Sequence, residues 1–294
     1  MALAKQGCQY SSGLTIAGMA TPFSLRLRLH YKAALAAGVR STLSGSNVQE
    51  KGKSSMHSFT GSPNFYARIA GLSYLLIIGF GLTGQLFIRD TLIVYGDAAL
   101  TASNILHAET IWRLGITGDV LMHALDIPVM IILYLLLKQV HKPLALVSVA
   151  FNLAQTAVLV ANKLVLLVPL ILMNNAEYVA AFNMDQVHAQ VMLLADLHNY
   201  GFGLGLIFFG CACIGYGLLV FKSSYFPRFL GVLVMIAGAS YLTNSLTLLI
   251  APSFSGMVFP ILLLSFIGEL TFSLWLIFKG INLDKWHQAV GREG

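Results

Sequence analysis

The chain reads as an all-α integral membrane protein, a six-transmembrane-helix bundle with both termini cytoplasmic, and three observations predict this. Of 294 residues, 57% are apolar and only 10% charged, against roughly a quarter charged in soluble domains. From Pro63 onward the apolar residues gather into long runs, and about 20 such residues are what a helix needs to cross a bilayer core. The cations fall almost entirely on alternate connections between those runs, which the positive-inside rule converts into an orientation.

The first 60 residues stand apart. They are rich in Ser, Thr and Gly, and residues 1–55 carry seven Lys/Arg against one acid, Glu50. No uninterrupted apolar core is long enough for a signal peptide. We expect 1–60 to be a disordered basic extension, or translated sequence upstream of a working start at Met56. Residues 23–39 (FSLRLRLHYKAALAAGV) are weakly amphipathic and also fit a transit-like or membrane-surface helix. The remaining chain balances eleven basic against eleven acidic residues, so it offers no nucleic-acid footprint. Of the three cysteines, Cys8 lies in the extension and Cys211 and Cys213 lie within an apolar run, which is no disulfide framework or zinc-ribbon spacing.

The predicted spans are residues 67–88, 113–137, 143–173, 188–221, 228–250 and 257–278, in a transmembrane domain over 61–282 followed by a short cytoplasmic tail over 283–294. Pro143, Pro227 and Pro252 stand at or beside helix ends, where proline removes no helical hydrogen bond. The third and fourth runs are longer than a bilayer requires and must tilt, bend or project. Gly201, Gly203 and Gly205 give the fourth a place to bend, although Gly201-x-x-x-Gly205 fits close helix packing better. With the N-terminus inside, Lys51, Lys53, Arg68, Lys138, Lys142, Lys222, Arg228, Lys279, Lys285 and Arg292 collect on the cytoplasmic side, leaving Arg89 and Arg113 opposite. Trp112, Tyr66, Tyr225 and Trp286 are placed as interface anchors. In the first outer loop Asp97 is expected to cap a short helix whose Leu100, Ile105 and Leu106 lie against the bundle as a lid, and Asp185 to cap the fourth span. Short basic inner loops make the helices they join antiparallel neighbours.

The second span, RLGITGDVLMHALDIPVMIILYLLL over 113–137, carries the functional clue. At 100° per residue, Asp119, His123 and Asp126 fall within roughly 60° of arc and form one polar stripe on a greasy helix. Ionisable groups in a membrane turn toward protein or water. At about 1.5 Å rise per residue, Asp119, His123 and Asp126 lie about 10, 16 and 20 Å from the outer boundary, Lys163 about 14 Å and Glu269 about 18 Å. Asn152, Gln155, Thr156, Asn162 and Lys163 share one face of the third helix, and Ser265, Gly268, Glu269 and Phe272 one face of the sixth. The candidate polar site is therefore Asp119, His123, Asp126, Gln155, Asn162, Lys163, Asp196 and Glu269. Asp196 and His198 point about 200° apart, so they cannot share a cavity. Lys163 is expected to pair with Asp119, or with Asp196 if the fourth helix bends inward, and Asp126 and Glu269, at nearly one depth, could share a proton.

Several local patterns resemble a known family. They are Asn64-Phe65-Tyr66-Ala67-Arg68-Ile69-Ala70-Gly71; Gly96-Asp97-Ala98-Ala99 with Thr101, Ala102, Asn104 and Ile105; Asp196-Leu197-His198 with Tyr200-Gly201; Pro227-Arg228 with Leu230-Gly231; and Gly268-Glu269-Leu270. Together they are similar to the bacterial membrane family called domain of unknown function 4386, over about residues 63–280. The resemblance implies a polytopic helical membrane protein and carries no activity and no catalytic residues with it.

Three classes of function fit these residues. Binding or translocation of a small solute or proton is preferred, since intramembrane acids and a lysine facing one cavity are its raw material. A metal-dependent intramembrane hydrolase would draw ligands from His123, His198 and the carboxylates, but there is no H-E-x-x-H and no pair of histidines at i, i+4. The third is a non-catalytic scaffold or assembly factor whose polar core only fixes packing. No cofactor is called for, the lipid bilayer is the expected partner, and a bacterial cytoplasmic membrane the expected location.

Overall fold

The computed structural model describes residues 62–291, so the expectations for the N-terminal extension and Cys8 lie outside the described residues. Every regular element among those residues is helical. α1 (Pro63–Leu82) continues into a π-helical stretch, Thr83–Arg89, and a last turn, Asp90–Leu92. α2 (Ala98–His107) follows as the short loop helix, then α3 (Glu109–Asn174), α4 (Ala176–Ala181), α5 (Met184–Lys222), α6 (Arg228–Ile250), α7 (Leu262–Phe278) and α8 (Leu283–Val290). Among the described residues, five segments are long and apolar enough to cross a membrane: Pro63–Leu92, Glu109–Asn174, Met184–Lys222, Arg228–Ile250 and Pro252–Phe278.

The longest of these doubles back. His141 is extended (φ −164°, ψ 95°) inside α3, and its Nδ1 accepts from the Leu144 amide at 3.1 Å. His141 thereby caps a new helix whose first turn contains Pro143, the place where a missing N–H costs nothing. The arms 109–140 and 142–174 run antiparallel, as three widely spaced contacts show. Asn174 donates to Glu109, the Trp112 indole to the Leu166 carbonyl, and Thr156 to Asp126.

Several loop and interface expectations change in the structure. Asp97 does cap α2, accepting from Leu100 N at 2.9 Å. The face α2 turns inward is Thr101, Ala102 and Ile105, however, while Leu100 and Leu106 are exposed. α5 is capped by Asn183 in a reciprocal box with Gln186, two residues before the predicted Asp185. Trp112, Tyr225 and Trp286 are buried packing residues rather than interface anchors; the Tyr225 hydroxyl donates to the Leu136 carbonyl at 2.6 Å. Residues 283–290 of the expected tail form α8, with Trp286 in the core.

The helices close a ring in which α1 packs on α3, α3 on α5, α5 on α6, α6 on α7 and α7 back on α1. Asn64 seals it, its Oδ1 accepting from Ile281 N at 2.7 Å. Two apolar cores form inside among the described residues. One joins Ala67, Leu136, Ala145, Leu219, Leu230 and Leu276 at the end holding α8. The other joins Ile93, Ile105, Trp112, Leu166 and Val191 beneath α2. Outside, large apolar side chains stand exposed along the helices, such as Phe87 at 69%, Leu164 at 65% and Leu193 at 64%. Apolar residues outside and charged residues inside is the arrangement a lipid solvent selects.

Candidate functional site

The two cores leave a polar layer between them, and helix register explains which residues enter it. Along the first arm of α3, Trp112 and Ile116 belong to the lid-side core and Val129 and Leu133 to the other. Asp119, His123 and Asp126 fall between, all buried. The second arm returns in reverse order, from Ala145 through Asn152, Gln155, Thr156, Asn162 and Lys163 to Leu166 and Leu170. α5 adds His198 between Val191 and Ala212, and α7 adds Glu269.

On the lid side, charges converge on one carboxylate. Asp119 is fully buried, and its Oδ2 lies 2.9 Å from Lys163 Nζ and 2.6 Å from Arg89 Nη1. The Lys163–Asp119 pair is the one expected from depth. Asp196, the alternative partner, is exposed and makes no ion pair among the described residues. Arg89 is not the boundary cation expected from its place at a helix end but a buried one, 6% exposed, at the end of the π-helical stretch. π-Bulges widen a helix turn and recur at functional sites. Gln85 one turn earlier accepts from Arg89 Nε at 3.0 Å and donates to Asp90 Oδ1 at 2.7 Å. That Gln85-x-x-x-Arg89 spacing was the available signal, since i,i+4 partners face each other.

His198 and Asn162 complete this node. Lys163 Nζ lies 3.4 Å from His198 Nε2, and the Asn162 amide donates to the His198 carbonyl at 2.9 Å. Gly201 lets α5 approach so closely that a Cβ there would run into the Asn162 amide, and one at Gly205 would run into Leu159. The Gly201-x-x-x-Gly205 pair is thus a packing device. His123 is 1% exposed, and neither ring nitrogen has a hydrogen-bond partner among the described residues.

Toward the other core the acids are held separately. Asp126 Oδ2 accepts from Thr156 at 3.1 Å, and Thr156 also reaches Gln155 Oε1 at 3.3 Å. Glu269 Oε1 accepts from the Tyr241 hydroxyl at 2.9 Å. Asp126 and Glu269 share no hydrogen bond; Asp126 lines a cavity of about 20 Å³ with Tyr74, Asn152 and Tyr216, room for about one water.

The donor set speaks against a metal centre built on His123 and His198. No group of three His, Cys, Asp or Glu among the described residues is placed to hold a metal ion. His198 Nε2 faces the Lys163 ammonium, and two buried cations beside it would repel a third.

Comparison with known proteins follows the same boundaries as the helical ring. The family model described as "Domain of unknown function (DUF4386)" matches residues 69–280. The chain belongs to this family. An uncharacterised protein of Archaeoglobus fulgidus is 29% identical over 170 residues, 58% of this chain and 86% of that one. No solved structure matches the chain. In this DUF4386 chain the recognisable patterns hold the ring and the node. Gly71 meets Ser273 and Leu276 of α7, Gly268 meets the Leu233 carbonyl of α6, and His198-x-x-Gly201 meets Asn162 and Lys163 of α3.

Proposed function

We propose that this protein crosses the bacterial cytoplasmic membrane six times with both termini cytoplasmic, and that its buried charged layer binds a small solute or proton and passes it across. The fold-back at His141 supports six crossings, because each arm of α3 exceeds the roughly 20 residues a bilayer core needs. The orientation is supported by Lys138, Lys142, Lys222, Arg228 and Lys279, which flank the core that holds α8, while among the described Lys and Arg residues Arg113 alone remains exposed opposite once Arg89 turns inward.

One observation carries the functional reading: Arg89, Asp119 and Lys163, from two helical segments, are buried against one another between two apolar cores. Burying three charges is costly, and replacing such a set by apolar residues is often stabilising. A chain that needed only packing has a cheaper solution in leucine.

The test is flux in proteoliposomes carrying a trapped pH-sensitive dye, repeated with labelled acetate, phosphate and ammonium. Flux above protein-free vesicles, abolished in Asp119→Asn, is the expected result. Rates equal to those of protein-free vesicles for every probe would overturn translocation and leave a scaffold with a structural polar core.

A further inference from the structure

The buried charges of the node do not cancel. Arg89 and Lys163 supply two cations against the single carboxylate of Asp119, and no other acid pairs with either among the described residues. The chemistry of His198 adds to this bias. An ammonium has only donors, so the His198 Nε2 that faces Lys163 at 3.4 Å accepts. The ring is therefore neutral with its proton on Nδ1, a donor on the side away from Lys163. The ring is held there by stacking on Phe202, centroids 6.5 Å apart and planes 22° apart.

Arg89 and His198 together line a cavity of about 30 Å³ with Gln85, Tyr95 and Asn199, room for about two water-sized groups. Tyr95 lies outside the spanning segments. Partial burial, then the carboxylates of Asp196 and Asp90, push its phenol above the ordinary value, so it stays a donor at neutral pH. Asp90 also lines the cavity. It is exposed and its Oδ1 is taken by Gln85, so water screens it, whereas the buried cations act through a lower dielectric.

We propose that this cavity binds a small anion of carboxylate or phosphate type, held by Arg89 and His198, which balances the excess charge of the Arg89–Asp119–Lys163 node. The anion can be free or the head of an amphiphile. A groove of about 150 Å³ shares Asn199 and Phe202 with the cavity and continues past Leu248, Phe259 and Leu262, giving an attached chain an apolar path. The proposal deepens the solute reading by naming the solute's class and rests on that reading only for the passage across the membrane after binding.

The experiment is thermal unfolding of the full chain in detergent, with sodium acetate, sodium phosphate or sub-micellar sodium decanoate added at an ionic strength held constant with sodium chloride. A ligand that binds only the folded state raises the midpoint saturably. The expected result is such a rise, with the half-saturating concentration at least tenfold higher in His198→Phe and in Asn199→Leu, an exposed position whose substitution leaves the ion pairs intact. Half-saturation by decanoate at a tenfold lower concentration than acetate assigns the site to an amphiphile head; equal values assign it to a free anion. No saturable rise with any of the three, or a rise unchanged in both variants, overturns the proposal. Flux without binding removes only the anion assignment, and binding without flux removes only translocation.

Discussion

Truncating the three charges one at a time should give losses of very different size, because Asp119 serves two cations. At the 2.9 Å separation of Lys163 Nζ from Asp119 Oδ2, the attraction is about 5.7 kcal/mol at an effective dielectric of ~20. Arg89 Nη1 lies 2.6 Å from the same oxygen, so the two cationic nitrogens are at most about 5.5 Å apart and repel by about 3.0 kcal/mol or more. Lys163 keeps at most about 2.7 kcal/mol of net attraction, against several kcal/mol for its own desolvation. Lys163→Met should therefore fall between a gain of about 2 kcal/mol, where desolvation outweighs the attraction, and a loss of about 3 kcal/mol. Asp119→Leu strands two like charges and should exceed the 3 to 5 kcal/mol typical of one stranded partner. The double variant still strands Arg89 and should recover only part of that loss, whereas the triple variant with Arg89→Met should recover most of it. Thermal unfolding in detergent is the assay; at roughly 2 to 4 °C per kcal/mol for a domain of this size, Asp119→Leu should lower the midpoint by about 10 °C or more. Equal losses for Lys163→Met and Asp119→Leu, or a silent Asp119→Leu, would refute the two-cation account.

Three further outcomes are expected. In a background free of Cys8, Cys211 and Cys213, single cysteines at Asp97 and Glu177 should react with an impermeant reagent from outside and one at Lys142 only after permeabilisation; the reverse pattern would invert the topology. Gly201→Leu drives a side chain into Asn162 and should cost about 1 to 3 kcal/mol, while Gly256→Leu, which meets nothing within 4 Å, should leave the midpoint unchanged. Trp112→Phe removes the 2.8 Å bond to the Leu166 carbonyl and should lower the midpoint by the equivalent of about 1 to 3 kcal/mol, the cost of leaving a buried group unsatisfied; an unchanged midpoint would make that bond dispensable.

Composition and periodicity alone determined the helical class, the apolar runs and the inward stripe of Asp119, His123 and Asp126. Those properties are local: a run of apolar residues and a 100° rotation per residue are written along one helix. Depth, counted at a fixed rise, also brought Lys163 level with Asp119 before any packing was known. What packing decided was which faces meet and how the ends of helices turn. Arg89 read as an end-of-helix cation because nothing in its own turn reveals that the π-helical stretch carries it inward to a carboxylate 30 positions away. Trp112 and Tyr225 fit an interface equally well by type, and only the neighbours that accept their hydrogen bonds made them core residues. Asp196 and His198 stand two residues apart, and the Gly201 contact with Asn162 selected which of them faces Lys163. Pairing across helices depends on the rotation of each helix about its own axis, a quantity set by the close contacts of glycines and large side chains from the whole ring, and no single stretch of the chain contains it.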